Sequence, residues 1–287
     1  MRGALLMLAA MVCFATMGVF IRLASEHVHV LETVFFRNFL SVLLLLPWIL
    51  RQGRDVLRTR RIGLYIARSA INIVGMTAGF MALTMIPLAE ATALSFTTPL
   101  FATIGAAVFL GEVLRARRIT AVAIGFLGML VVLRPGLEAV STGALLALGH
   151  SVAIAGTILI VKRLTTTERP ETIVIYMVLL QSPVSLIPAL PVWTWPTPEA
   201  WLWLSCLAGF ATIGHLLFTR ALQMSEVSQL QPLDFTRLPL IAVLGYLLFD
   251  EEPTIWTWLG GAIIFASTAY VTHREARLEK ERRLSAG

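Results

Sequence analysis

The sequence predicts an all-α membrane protein, ten transmembrane helices arranged as an inverted five-plus-five repeat. Three observations predict it: composition, the spacing of apolar runs, and a long-range internal similarity. Of 287 residues 57% are hydrophobic and only 14% charged, with a mean hydropathy of +0.80; soluble domains carry about 25% charge. Apolar runs of about 20 residues, enough to cross a bilayer, recur between clusters of charge, Pro or Gly. GALLML from Gly3 returns as GALLAL from Gly143, an offset of 143 − 3 = 140.

Taken in order, the runs predict spans at 3–23, 31–50, 62–85, 88–111, 118–134, 141–162, 171–191, 199–223, 228–249 and 254–273. The first follows Arg2; it is long for a signal-peptide core, has no small-residue cleavage site, and is read as a retained helix. The second closes at Arg51, and the third opens after Arg60 and Arg61. The fourth begins after Pro87 and ends at Gly111-Glu112; the fifth lies between Arg118 and Arg134. The sixth closes at Lys162-Arg163, the seventh opens after Pro170, and the eighth follows Pro198. The ninth holds two prolines and two charges, and the tenth starts after Pro253. Connections of about 2 to 11 residues make neighbours antiparallel and leave no room for a soluble domain. The organisation is a first repeat over 1–140, a second, inverted repeat over 141–273, and a basic tail over 274–287.

Positive residues set orientation, because cytoplasmic loops keep Lys and Arg. One set of ends holds Arg2, Arg51 to Arg61, Arg115 to Arg118, Lys162, Arg163, Arg169, Arg220 and the tail; the other holds little beyond Arg22 and Arg134. Both termini are therefore expected in the cytoplasm, in a multi-pass protein of the inner membrane. Trp193, Trp195, Trp201, Trp203, Trp256 and Trp258 then gather at outer ends, where interfacial anchoring accounts for them. The net charge of +6 lies in the gaps between apolar runs, so it reads as orientation and lipid contact, with no nucleic-acid partner. Cys13 and Cys206 sit singly in apolar runs with no metal or redox spacing. No GxxxxGK[ST] loop and no HExxH motif occurs, and no cofactor is implied.

The internal similarity continues through Val12 and Arg22 with Val152 and Lys162. Ala82 then meets Ala221, and Phe96 and Thr97 meet Phe235 and Thr236, at offset 221 − 82 = 139. After one inserted residue Pro99, Gly105, Phe109, Glu112 and Arg134 match Pro239, Gly245, Phe249, Glu252 and Arg274. Five helices are thus duplicated, and an odd number inverts the second copy in the membrane.

SFTTPLFATIGAAVFLGE (Ser95 to Glu112) and its copy DFTRLPLIAVLGYLLFDEE (Asp234 to Glu252) each carry an early proline, then a Gly, then a terminal Glu. With these motifs the chain resembles the drug/metabolite transporter superfamily, specifically its ten-helix EamA-type exporters, over nearly all of residues 1–273. The second copy departs in reading Asp-Glu-Glu where the first has Gly111-Glu112. The resemblance implies proton- or gradient-linked efflux of small metabolites, and within the family the texture is similar to aromatic amino-acid exporters.

In the ninth span Gln231, Asp234 and Arg237 recur every third residue and share one helical sector. One reading is an Asp234–Arg237 pair within the helix that fixes packing. The other has Arg237 accept a substrate carboxylate while Asp234 takes an ammonium or a proton. The repeat aligns Asp234 with Ser95 and Arg237 with Thr98, so the scaffold does not need the charges, and polar recognition is expected to lean toward the second half. Pro232, Pro239 and Pro99 deprive the carbonyls of Ser228, Phe235 and Ser95 of their helical donors, which predicts kinked gating segments or packing kinks. Asn72, His150, Ser151, Gln181 and His215 lie deep in other spans; a histidine there relays protons or holds helices together. Phe14, Phe80 and Tyr176 are candidate aromatic walls, and Arg37 and Arg68 are expected to snorkel toward helix ends. Gly105-Ala106-Ala107, Gly125 to Gly128 and Gly260-Gly261 predict close helix crossings.

These residues predict a secondary transporter exporting small organic metabolites, amino acids foremost, by alternating access, as a monomer or homodimer in the lipid bilayer. Protons are a candidate coupling ion. The alternatives are a nucleotide-sugar or drug carrier, a channel, and an intramembrane enzyme built on Asp234.

Overall fold

The computed structural model describes residues 2–52, 59–110, 116–134, 140–164, 167–224, 233–234, 236–267 and 269–270. These residues are helical with short connections and contain no strand. The helices are α1 (Arg2–Ser25), α2 (Val30–Gln52), α3 (Ile62–Met85), α4 (Leu88–Ser95), α5 (Thr98–Leu110), α6 (Ala116–Leu133) and α7 (Thr142–Leu164). They continue as α8 (Pro170–Ala189), α9 (Pro198–Met224), α10 (Arg237–Phe249) and α11 (Ile255–Ser267). Six are long and apolar enough to cross a membrane: Gly3–Ser25, Val30–Arg51, Ile62–Met85, Thr142–Val161, Glu171–Val192 and Pro198–Ala221. Their outward faces keep large apolar side chains exposed, among them Leu5, Leu50, Val74, Leu145, Ile187 and Leu202, as a lipid-facing surface requires.

The closest helix pairs are α1 with α9, α3 with α7, and α2 with α8. Each joins the first half to the second, and exchanging the halves turns the first pair into the second. Small inward residues permit the contact: Ala10, Ala15 and Ala24 on α1, and Ala208 and Ala211 on α9, are buried. On α6 and α11, Gly128 and Gly260 face one another so closely that a Cβ on Gly260 would lie 2.6 Å from the Gly128 carbonyl oxygen. The runs at Gly125 to Gly128 and Gly260-Gly261 thus mark crossings, while the side chains of Ala106 and Ala107 lie outside those described.

The run expected as one span at 88–111 is two helices. Pro99 has no N–H for the Ser95 carbonyl, and the ladder tightens just before it: the Phe96 N–H bonds Ala93 and the Thr97 N–H bonds Leu94 at 3.1 Å. Pro99 itself is the second residue of α5, where the missing donor is tolerated. The second copy does the same, with the Thr236 N–H on the Leu233 carbonyl at 3.1 Å and Pro239 third in α10. In both, the threonine hydroxyl donates to the same carbonyl, Thr97 to Leu94 at 2.7 Å and Thr236 to Leu233 at 2.6 Å.

Helix ends are tied across the halves. At the end of α1, Arg22 pairs with Glu251, which follows α10, and donates to the carbonyls of Leu83 (2.8 Å) and Ile86. The other Glu251 oxygen accepts the Leu88 N–H at 2.8 Å. Near the start of α2, Glu32 accepts the N–H groups of His29 (2.9 Å) and Thr194 (2.7 Å). The tryptophans divide: Trp195 is 79% exposed, as anchoring expects, whereas Trp193 and Trp201 pack on Phe36 at 5.3 and 5.0 Å between centroids and Trp203 stacks on Phe20. Those three are half-buried and also join helices to one another. Cys13 and Cys206 are free thiols.

Candidate functional site

The break before α10 brings Arg237 to the junction of the halves. Because α10 starts at Arg237, Asp234 and Arg237 do not share one continuous helix, and no ion pair joins them among the described residues. Arg237 instead donates from Nη2 to Ser95 Oγ at 2.7 Å, across to the end of α4, with its guanidinium 5.7 Å from the Phe96 ring centroid. Thr98 opens α5 next to this contact and is buried. His150 Nδ1 lies 2.8 Å from the Gly75 carbonyl oxygen, bridging α7 to α3, within electrostatic reach of Arg237. Glycine is required beneath it, since a Cβ on Gly79 would sit 2.6 Å from His150 Nδ1. Ser151 beside it donates to the carbonyls of Ala147 (3.0 Å) and Leu94 (3.3 Å), reaching the residue at the α4 break.

A second group lies where α1, α2, α3, α8 and α9 meet. Phe14 stands edge-on to His215 with centroids 5.1 Å apart and against Phe218 at 6.1 Å. Tyr176 stacks on Tyr65 at 4.5 Å. Arg37 and Arg68 do not snorkel: they are only 3% and 7% exposed, and both lie within electrostatic reach of His215. Counting turns from the helix ends misplaced them, because burial there is set by α8 and α9 packing over them. Both belong to the first half, so buried charge is not confined to the second.

Other expected residues lie apart. Phe80 is buried in an apolar cluster with Ile21, Val34, Met76 and Leu207, a core position rather than a wall. Asn72 is half-buried on α3. Pro239 is exposed on the outer surface. Gln231 and Pro232 lie outside the described residues, as does the Pro99 side chain. Gln181 is fully buried with both amide atoms unbonded. A basic cleft of about 510 Å³ opens at the start of α3, lined by Arg60, Arg61, Gly63, Leu64 and Arg163. No three His, Cys, Asp or Glu residues among those described converge as a metal site.

Known proteins share this plan. A riboflavin transporter of Vibrio cholerae is 31% identical over 99% of this chain and 97% of its own. An S-adenosylmethionine uptake transporter of Rickettsia bellii is 28% identical over 88% of this chain and 87% of its own. The pseudopaline exporter CntI of Pseudomonas aeruginosa is 25% identical over 91% and 93%. A protein of known crystal structure aligns with a TM-score of 0.66 at 18% identity, covering 96% of this chain and 98% of that one, which shows a shared fold. The signature of the EamA-like transporter family matches residues 1–134 and again 141–272. With both halves matched, the chain belongs to the EamA-like transporter family, and it is a membrane transporter rather than an enzyme.

Proposed function

We propose that the protein is a secondary carrier of the inner membrane, both termini in the cytoplasm, which moves a small ring-bearing metabolite by alternating access between its two five-helix halves. The observation that carries this reading is the Arg237–Ser95 contact, which joins the two interrupted helices, one from each half, at matched points of the repeat. Interrupted helices at an inter-repeat junction are where carriers place solutes, because the unwound turn offers polar groups without an intrahelical partner. Phe96 supplies a flat surface beside Arg237, and Phe14 with the His215 ring supplies another in the second group.

Riboflavin and S-adenosylmethionine, named for the relatives, both carry a planar ring system and are the first solutes to test. Aromatic amino-acid export is the second reading, favoured by the guanidinium of Arg237, which suits a carboxylate. Purified protein in proteoliposomes would be assayed for counterflow of labelled riboflavin, S-adenosylmethionine, phenylalanine and tryptophan, with and without a pH gradient. Saturable uptake of at least one, stimulated by the same solute inside, is the expected result. Saturation by none overturns the substrate class. Flux without saturation or trans-stimulation indicates a channel, and product formation in detergent that Asp234→Asn abolishes indicates an intramembrane enzyme.

A further inference from the structure

Arg37 on α2 and Arg68 on α3 are two buried cations within electrostatic reach of each other, and neither has a carboxylate partner among the described residues. Arg37 Nη1 donates to Asn38 Oδ1 at 2.8 Å. Arg68 Nη1 donates to the Ile173 carbonyl at 3.4 Å, and its Nη2 meets only the Met177 sulfur at 3.5 Å, a weak acceptor. The Nε of each is unbonded. The ion pairs among the described residues are made elsewhere, by Arg22 with Glu251 and His27 with Glu199. Glu168 stands beside Tyr65 and accepts from Thr59 at 2.8 Å. One turn along α8 from Met177, the Gln181 amide is buried and unbonded at both its oxygen and its nitrogen.

The fold does not require these charges. At the repeat offsets of 140 and 139, Arg37 meets Met177 or Tyr176, and Arg68 meets Ala208 or Leu207, all uncharged. Two like charges removed from water without a counter-charge are stable only when something else supplies the anion. Guanidinium forks suit the paired oxygens of carboxylate and phosphate, and an amide N–H adds a further donor.

We propose that Arg37 and Arg68, with Gln181, form an anion subsite for the carboxylate or phosphate group of an organic solute, whose ring would lie toward Phe14 and His215. As a transport site it rests on the carrier reading. The arginines come from the first half, and Met177, Gln181 and His215 from the second, so the subsite straddles the moving interface. It is sealed from solvent in this conformation and opens when the halves part.

The test is thermal unfolding of the detergent-purified protein titrated with potassium phosphate or sodium benzoate, against sodium chloride at matched ionic strength. A saturable rise in midpoint of about 3 °C or more with one of the two anions is expected. Phosphate alone indicates a phosphate monoester, and benzoate alone an aromatic carboxylate. The rise should vanish in Arg37→Gln and in Arg68→Gln. As a measurement independent of variant folding, phenylglyoxal labelling of wild-type Arg37 and Arg68, read by peptide mass spectrometry, should be slowed by the same anion. No rise above the chloride control, or an undiminished rise in both variants, overturns the subsite, as does labelling that neither anion slows. Anion binding without counterflow of any solute would leave the subsite standing and remove the carrier reading; counterflow without anion binding does the reverse.

Discussion

Asp234 and Arg237 are three residues apart, yet Arg237 bonds a serine 142 residues away in the chain. The helix that would align the pair begins only at Arg237, so the partner was decided by the break and not by the spacing. Because Arg237 is half-buried and holds one hydroxyl, Arg237→Ala should reduce counterflow at least about tenfold, equivalent to about 1.4 kcal/mol, with a smaller effect on the thermal midpoint. A poorly folding variant with normal transport would show a structural contact instead. Glu251 illustrates the same limit. In sequence it is a departure from the repeat; in the fold it neutralises Arg22 and accepts the Leu88 N–H. Glu251→Gln should destabilise by about 1–3 kcal/mol, the range for a weakened, partly buried charged bond. Exchanging the two charges, Arg22→Glu with Glu251→Arg, should recover part of that loss in a thermal-midpoint comparison.

At the scale of elements, the matched prolines were legible, and so was the loss of a donor for the Ser95 carbonyl. What the sequence left open was whether the helix kinks or stops. It stops, because the residues before each proline bond three back and a threonine hydroxyl holds the same carbonyl. Pro99→Ala restores an N–H for Ser95 and should let α4 run into α5. The expected result is an unchanged or raised thermal midpoint with slower counterflow; faster counterflow would show that the break does not serve transport. The runs at Gly125 to Gly128 and Gly260-Gly261 are crossings as their composition predicts, since an absent Cβ has one packing consequence wherever it lies. Gly260→Ala would place a methyl 2.6 Å from the Gly128 oxygen and should destabilise by about 1–3 kcal/mol, seen as a lower midpoint and poorer yield.

For the molecule as a whole, the halves interlace: α1 lies on α9, α3 on α7, and α2 on α8, so no half can move without changing every one of these contacts. If the halves rock, the Arg22–Glu251 tie must separate in one state. A reducible bis-methanethiosulfonate crosslink between Arg22→Cys and Glu251→Cys, in a background with Cys13 and Cys206 replaced by alanine, should block counterflow until reduced; full activity when crosslinked would show that this end stays closed throughout the cycle. The sequence by itself determined the helical membrane class, the positions of the apolar runs and the duplication, because hydrophobicity over twenty residues and similarity at a constant offset are properties of the chain read along its length. Only the tertiary structure decided that Arg237 crosses to Ser95, that Phe80 is core, and that Arg37 and Arg68 are buried rather than snorkelled. Those outcomes depend on which helix from the other half packs over a side chain, and no local spacing records that.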